Sequence, residues 1–214
     1  MKNYFAVILI TIFGVSIFGQ NAIDDALKNY TVEKIETIST KDNLKKQGIN
    51  LSIKIPTNYI QKEGLRPHIL CNFNFPMDYD KGTLTISIQI NEIPLELLKL
   101  NDQDLASIMF SDEMTSQRFQ NQEILLDKAT KYDGQDGRIT ITYIKTSRAG
   151  LTIYALYCVH TFIYNRKTVS INCMYGVNDE LTKNIEIKKY FAKFKVLNTF
   201  LGNSIVIDSK WDKY

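Results

Sequence analysis

The chain has little of what recognisable catalytic centres are built from. Its 214 residues include two histidines, three cysteines and one tryptophan. No Cys-x-x-Cys or His-x-x-x-His pair occurs, so the close ligand spacings of zinc sites are missing. A phosphate-cradling glycine loop and a Gly-x-Ser-x-Gly elbow are absent as well. Charge of one sign is also lacking: 26 basic residues face 23 acidic ones, a net +3. That balance argues against a nucleic-acid partner, which calls for a concentrated basic face. No internal repeat or heptad array is present, and after the first twenty residues no apolar run is long enough to span a bilayer as a helix.

What the chain does have begins with a leader. Met1-Lys2-Asn3 is a short basic start, Tyr4 to Phe18 is uncharged and apolar, and Gly19-Gln20-Asn21-Ala22 supplies small and polar residues. This is the pattern of a cleaved signal peptide over residues 1–19. The run is short for a membrane span, which needs about 20 residues. The expectation is a periplasmic or secreted protein without a transmembrane segment after cleavage. The remainder divides into a helical or linker segment at 20–47, with a helix opening at Asp24-Asp25, and one domain at 48–214.

Within that domain the densest signal is Arg138 to Gly176, where β-branched and aromatic residues are broken only at Arg148-Ala149-Gly150 and Asn165-Arg166. A two-residue turn at Asn165-Arg166 sets a register in which Cys158 faces Cys173, Phe162 faces Val169, His160 faces Ile171 and Leu156 faces Tyr175. That face is mainly apolar. On the other face Val159 meets Asn172, Thr161 meets Ser170 and Tyr157 meets Met174, a more polar set. Cys158 and Cys173 fit either a cross-strand disulfide in an oxidising compartment or a pair of buried free thiols. Cys71 is left over in both cases.

Alternation predicts further strands at Gly48 to Pro56, His68 to Phe75, Thr83 to Asn91 and Gln122 to Lys131. Asp133 to Gly137 reads as a turn. Asn101 caps a helix bearing Leu105, Ile108 and Met109, and Asn178 opens a final helix running to about Val196. Tight turns between successive strands give an antiparallel meander with flanking helices, an α+β fold.

The order of elements resembles the PsbP-like and DcrB-like α/β/α sandwich superfamily. The likeness lies in a first strand ending in proline (GINLSIKIPTNY, 48–59), a helix after a second alternating strand, a meander opening on an Asp-Gly turn, and a closing helix. It spans about Gly48 to Phe200, with Tyr59 nearest the place of the tryptophan usual after the Ile-Pro. The resemblance implies assembly factors, accessory subunits, chaperones and binding proteins, and carries no catalytic residues to this chain.

Other constellations are weak. His160 and Cys158 share a strand face and suggest a thiol–imidazole pair, or with Cys173 half of a metal site. Asp78-Tyr79-Asp80 and Asp133 to Asp136 are acidic loops without the ladder of a calcium site. Glu92, Glu96 and Glu113 are carboxylates of the kind hydrolases pair. Tyr143, Tyr154, Tyr157, Tyr164 and Tyr175 make the sheet rich in tyrosine, a residue favoured in strands and at interfaces. Lys188, Lys189, Lys193 and Lys195 read as the solvated side of the last helix.

The function expected is an exported, non-catalytic binding or accessory protein, a subunit or assembly factor of an envelope complex, acting on a protein partner. The interface would be the second sheet face, at Tyr157, Thr161, Ser170, Asn172 and Met174, and no cofactor is implied. The alternatives are an exported hydrolase with an unfamiliar site and an immunity-type protein that neutralises a toxin.

Overall fold

The computed structural model describes residues 35–75, 82–148, 150–178 and 187–210. The leader, the helix expected at Asp24-Asp25, the Asp78-Tyr79-Asp80 loop and Trp211 lie outside the described residues.

The described residues form nine strands. β1 (Ile35–Ser39) and β2 (Ser52–Pro56) form a two-stranded antiparallel sheet. The other seven are β3 (Ile60–Glu63), β4 (Ile69–Asn74), β5 (Thr83–Glu92), β6 (Glu123–Tyr132), β7 (Gln135–Arg148), β8 (Leu151–Tyr164) and β9 (Lys167–Asn178). They form one antiparallel sheet in the order β3-β4-β5-β9-β8-β7-β6. Among the described residues three α-helices accompany them: α1 (Asp102–Met109), α2 (Asp112–Arg118) and α3 (Phe191–Asn203). The α+β class expected from the alternation is the class observed.

The alternation works as its period of two requires. Ile53 and Ile55 of β2 are fully buried in the same core as Leu84, Ile86, Ile88 and Ile90 of β5 and Val169, Ile171, Cys173 and Tyr175 of β9, which are all fully buried on one face of the seven-stranded sheet. Over them lie the β1–β2 hairpin and α3, which contributes Phe194, Leu197 and Leu201 at helical spacing. A smaller apolar cluster on the opposite face joins Ile93, Leu105, Ala106 and Ile163, with Met109 and Phe110 against it. The sheet thus has layers on both sides.

Several local readings shift. Ile35–Ser39, within the segment expected to be helical or linker, is a strand paired residue for residue with Ser52–Pro56. Asn178 ends β9 opposite Ile153, the start of the helix expected after it lies outside the described residues, and the described closing helix runs from Phe191 to Asn203. On α1, Leu105 is buried and Met109 packs on its cluster, but Ile108 points to solvent. The Asp-Gly-rich turn is tighter than expected. Asp133 and Gly134 alone make it, both with positive φ (47° and 80°), as a two-residue hairpin turn with its right-handed strand twist requires. Two elements carried no expectation, β3 and α2. The second is opened by Ser111, whose Oγ accepts from the Met114 N–H.

The turn at Asn165-Arg166 has the same two-residue form, with φ of 50° and 57°. It fixes the β8–β9 register at Cys158↔Cys173, His160↔Ile171, Thr161↔Ser170 and Tyr157↔Met174, as the sequence predicts. Asp102 holds this turn from across the molecule: its carboxylate accepts from the N–H of Asn165 (2.8 Å) and of Arg166 (3.0 Å).

Candidate functional site

Two places collect the residues singled out by the sequence, and the structure treats them differently. The first is the thiol–imidazole pair. β8 points Cys158 and His160 into the core beneath α3, where both are essentially unexposed. The Tyr132 hydroxyl stands 3.0 Å from His160 Nδ1, and Asn198 Oδ1 of α3 lies 3.3 Å from Nε2. Asn198 is oriented by its own Nδ2, which donates to the Phe194 carbonyl at 2.8 Å. Its Oδ1 can only accept, so Nε2 carries the imidazole proton and Nδ1 accepts from the tyrosine hydroxyl.

That tautomer decides the chemistry. Cys158 Sγ lies 3.5 Å from Nε2, the nitrogen that already bears hydrogen. The ring therefore offers the thiol no base, whereas nucleophilic catalysis needs one. Burial also pulls the imidazole pKa down to about 4 and pushes the Cys158 thiol well up, so both groups are neutral. Cys173, on the facing strand, and Cys71 are pushed up to about 12 by burial. All three cysteines are free. Cys158 and Cys173 do face each other, but counting from the Tyr164↔Lys167 closing pair places them at a hydrogen-bonded position, the wider of the two pair types. Among the described residues, no group of three or more His, Cys, Asp or Glu side chains is arranged to hold a metal ion.

The second place is the opposite face of the sheet. Here lie the residues expected to form an interface, Tyr157, Thr161, Ser170, Asn172 and Met174. Thr161, Ser170 and Asn172 are buried, because the smaller apolar cluster and the α1–α2 hairpin seat on the β7–β8 side. Arg138 of β7 clamps that hairpin down: its guanidinium donates to Asp127 of β6, to the Phe110 carbonyl after α1, and to Asp112 of α2 (2.6 Å). The Asp127 carboxyl is held below its ordinary range by the hydrogen bond from Arg138.

Past the helices the face stays accessible. One register row crosses five strands, Ile60↔Asn74↔Thr85↔Met174↔Tyr157, all on this side. Ile60 is 58% exposed and Met174 37%. Asn74 and Thr85 between them are half-buried and joined by a hydrogen bond of 3.2 Å. The adjacent row runs Lys62↔Asn72↔Ser87↔Asn172. Tyr157, half-buried, donates to Asn172 Oδ1 at 2.8 Å. Asn172 Nδ2 and Ser170 Oγ, by contrast, have no hydrogen-bond partner among the described residues. The result is a shelf of neutral hydrogen-bonding side chains with an aliphatic residue at one end and a thioether at the other.

The remaining groups are engaged elsewhere. Glu92 pairs with Lys167, and Glu113 accepts from Gln117 on its own helix. A groove of about 330 Å³ lies between α1 and the β6–β7 turn, but Asp102 in its wall already holds the β8–β9 turn. Lys188 bonds Glu123 at 2.5 Å and sits over the Tyr143 ring.

No protein-family model and no curated protein matches the chain. Solved structures do. The chain is similar to the PsbP protein (CyanoP) of Synechocystis, at 15% identity over 81% of this chain and 92% of that one, with a TM-score of 0.47. It is also similar to LpqN of Mycobacterium tuberculosis, described as involved in cell envelope biogenesis. There the identity is 8% over 88% of this chain and 98% of that one, with a TM-score of 0.44.

Sequence reasoning missed Ile60 and the neutral residues of β4 and β5 as parts of the shelf. Only the pairing of β3, β4 and β5 with β9 brings them beside Met174, and no local pattern carries that information.

Proposed function

We propose that this chain is an exported, non-catalytic accessory protein that binds a partner protein on the Ile60–Met174 shelf. The observation that carries the reading is the row Ile60–Asn74–Thr85–Met174, left accessible beside a helical layer that covers the rest of the same face. Asparagine, threonine and serine side chains there offer hydrogen bonds without charge. Flanking apolar anchors with polar groups between them are how protein interfaces combine desolvation with specificity. The leader at residues 1–19 supports export. The absence of a base for the only thiol–imidazole pair supports a binding role over a hydrolytic one.

The test is site-specific photocrosslinking in cells, with the photoreactive group at position 174 and, as control, at Lys128 of the distant edge strand. The reading expects one discrete heavier adduct from position 174, lost when Ile60→Lys is added. Adducts of the same pattern from both positions, or none from position 174, would overturn it.

A further inference from the structure

Two leucines among the described residues are completely exposed, and they project from loops that are tied together. Leu44 is 101% exposed and Leu65 100%, while the next most exposed large apolar side chain described, Leu95, reaches 79%. Leu44 lies in the β1–β2 loop and Leu65 in the β3–β4 loop. The residues beside each make the tie. Lys45 Nζ donates to the Gly64 carbonyl at 2.6 Å and pairs with Glu63 at 2.9 Å, and Asn43 Nδ2 donates to the Leu70 carbonyl at 3.1 Å. The two side chains are therefore presented together from one end of the molecule.

The β1–β2 loop is built rather than loose. Asn43 N–H donates to Thr40 O, Lys45 N–H to Asn43 Oδ1, Lys46 N–H to Asn43 O and Ile49 N–H to Lys46 O. A loop that satisfies its own amides approaches a low-dielectric surface at smaller cost than one that depends on water. Around the leucines, residues 41–46 and 62–66 hold five basic side chains (Lys41, Lys45, Lys46, Lys62, Arg66) against two acidic ones, Asp42 and Glu63.

We infer that the Leu44–Leu65 end docks on an anionic lipid surface, with the two leucines entering the interface and Lys41, Lys62 and Arg66 meeting the headgroups. Aliphatic insertion together with attraction between cations and anionic lipid is the combination that holds proteins to such surfaces. Long basic side chains suit it, because their stems lie along the apolar boundary while the charge stays at the headgroups. A protein pocket is the poorer fit. Anchors at protein interfaces are enriched in tryptophan, tyrosine and arginine seated in packed surroundings, and leucine is under-represented among them. Here two leucines stand clear of all packing.

Vesicle co-sedimentation of the full chain tests this, with phosphatidylcholine alone against phosphatidylcholine mixed with phosphatidylglycerol. Binding is expected for the anionic vesicles, weakening with added salt. Leu44→Ser with Leu65→Ser should lower the affinity about tenfold or more, the scale of losing two inserted aliphatic side chains. Lys41→Gln with Arg66→Gln should weaken binding to anionic vesicles only. Because both leucines are solvated, the serine variant should melt like the parent, which separates lost docking from lost folding. Indifference to anionic vesicles, or binding that ignores the leucine change, would overturn the inference. Loss of a protein partner in the serine variant, with vesicle binding kept, would do the same. Met174→Asp should leave vesicle binding unchanged, so this result and that of the shelf are read separately.

Discussion

The Nδ1 of His160 accepts from the Tyr132 hydroxyl at 3.0 Å while its Nε2–H points at Asn198, so the only buried imidazole is held neutral by its surroundings. Its pKa is about 4 folded against 6.5 unfolded, so between these values the unfolded chain binds a proton that the folded chain refuses. Stability is then complete above pH 6.5 and falls as the pH drops through the window to 4. The loss approaches roughly 3 kcal/mol at its lower end. Chemical denaturation at a series of pH values should show this slope, and His160→Gln should flatten it by about one proton. A slope unchanged in the variant would assign the acid sensitivity elsewhere.

The three thiols should be silent in the folded protein. Burial holds the Cys71 and Cys173 pKa values up near 12 and Cys158 higher than its ordinary range. Reaction requires the thiolate and access to it. Under native conditions an alkylating reagent should leave the mass unchanged, and after unfolding it should add three groups. A mass short by two groups after unfolding would reveal a Cys158–Cys173 bond.

Arg138 ties three elements, and its side chain is only 13% exposed. Arg138→Met should cost about 3 kcal/mol in denaturant, since it leaves the partly buried Asp127 carboxylate with the Thr140 hydroxyl as its donor and the Phe110 carbonyl without the guanidinium. Adding Asp127→Asn should recover part of the loss. Amide exchange in α1 and α2 should accelerate in the single variant more than in β8.

The β8–β9 turn carries Arg166 at φ 57°, a conformation that favours glycine. Arg166→Gly should therefore stabilise the protein by about 0.5–1 kcal/mol. Asp102→Ala should act in the opposite direction, because it removes the acceptor for both turn amides. A melting temperature lowered by Arg166→Gly would show that the arginine side chain does more at this position than its backbone suggests.

How much of this was legible before the structure varies with the range of the information. Strands whose buried face alternates strictly, such as Thr83 to Asn91, could be read almost to the residue. So could the β8–β9 register, because one turn determines every pair beyond it. Ile60–Glu63 could not: all four residues are exposed, so no alternation marks them. Burial of Thr161, Ser170 and Asn172 depends on where α1 and α2 seat, and the polar character of those side chains suggested solvent instead. Met174 differs from them only in lying past the edge of the helical layer.

The antiparallel bridge of Ser52 with Val206 has a consequence for synthesis. The backbone of β2 is paired on one side by β1 and on the other by a residue that follows α3. β8 and β9 find each other across two residues, but β2 waits for more than 150 to be made. A nascent chain halted before Val206 therefore carries its first hairpin with one edge open and Ile49, Leu51, Ile53 and Ile55 short of their cover from the closing helix. Such a chain is a client for whatever guards unfinished proteins, and removal of Val206 with the residues after it should be felt first at β2.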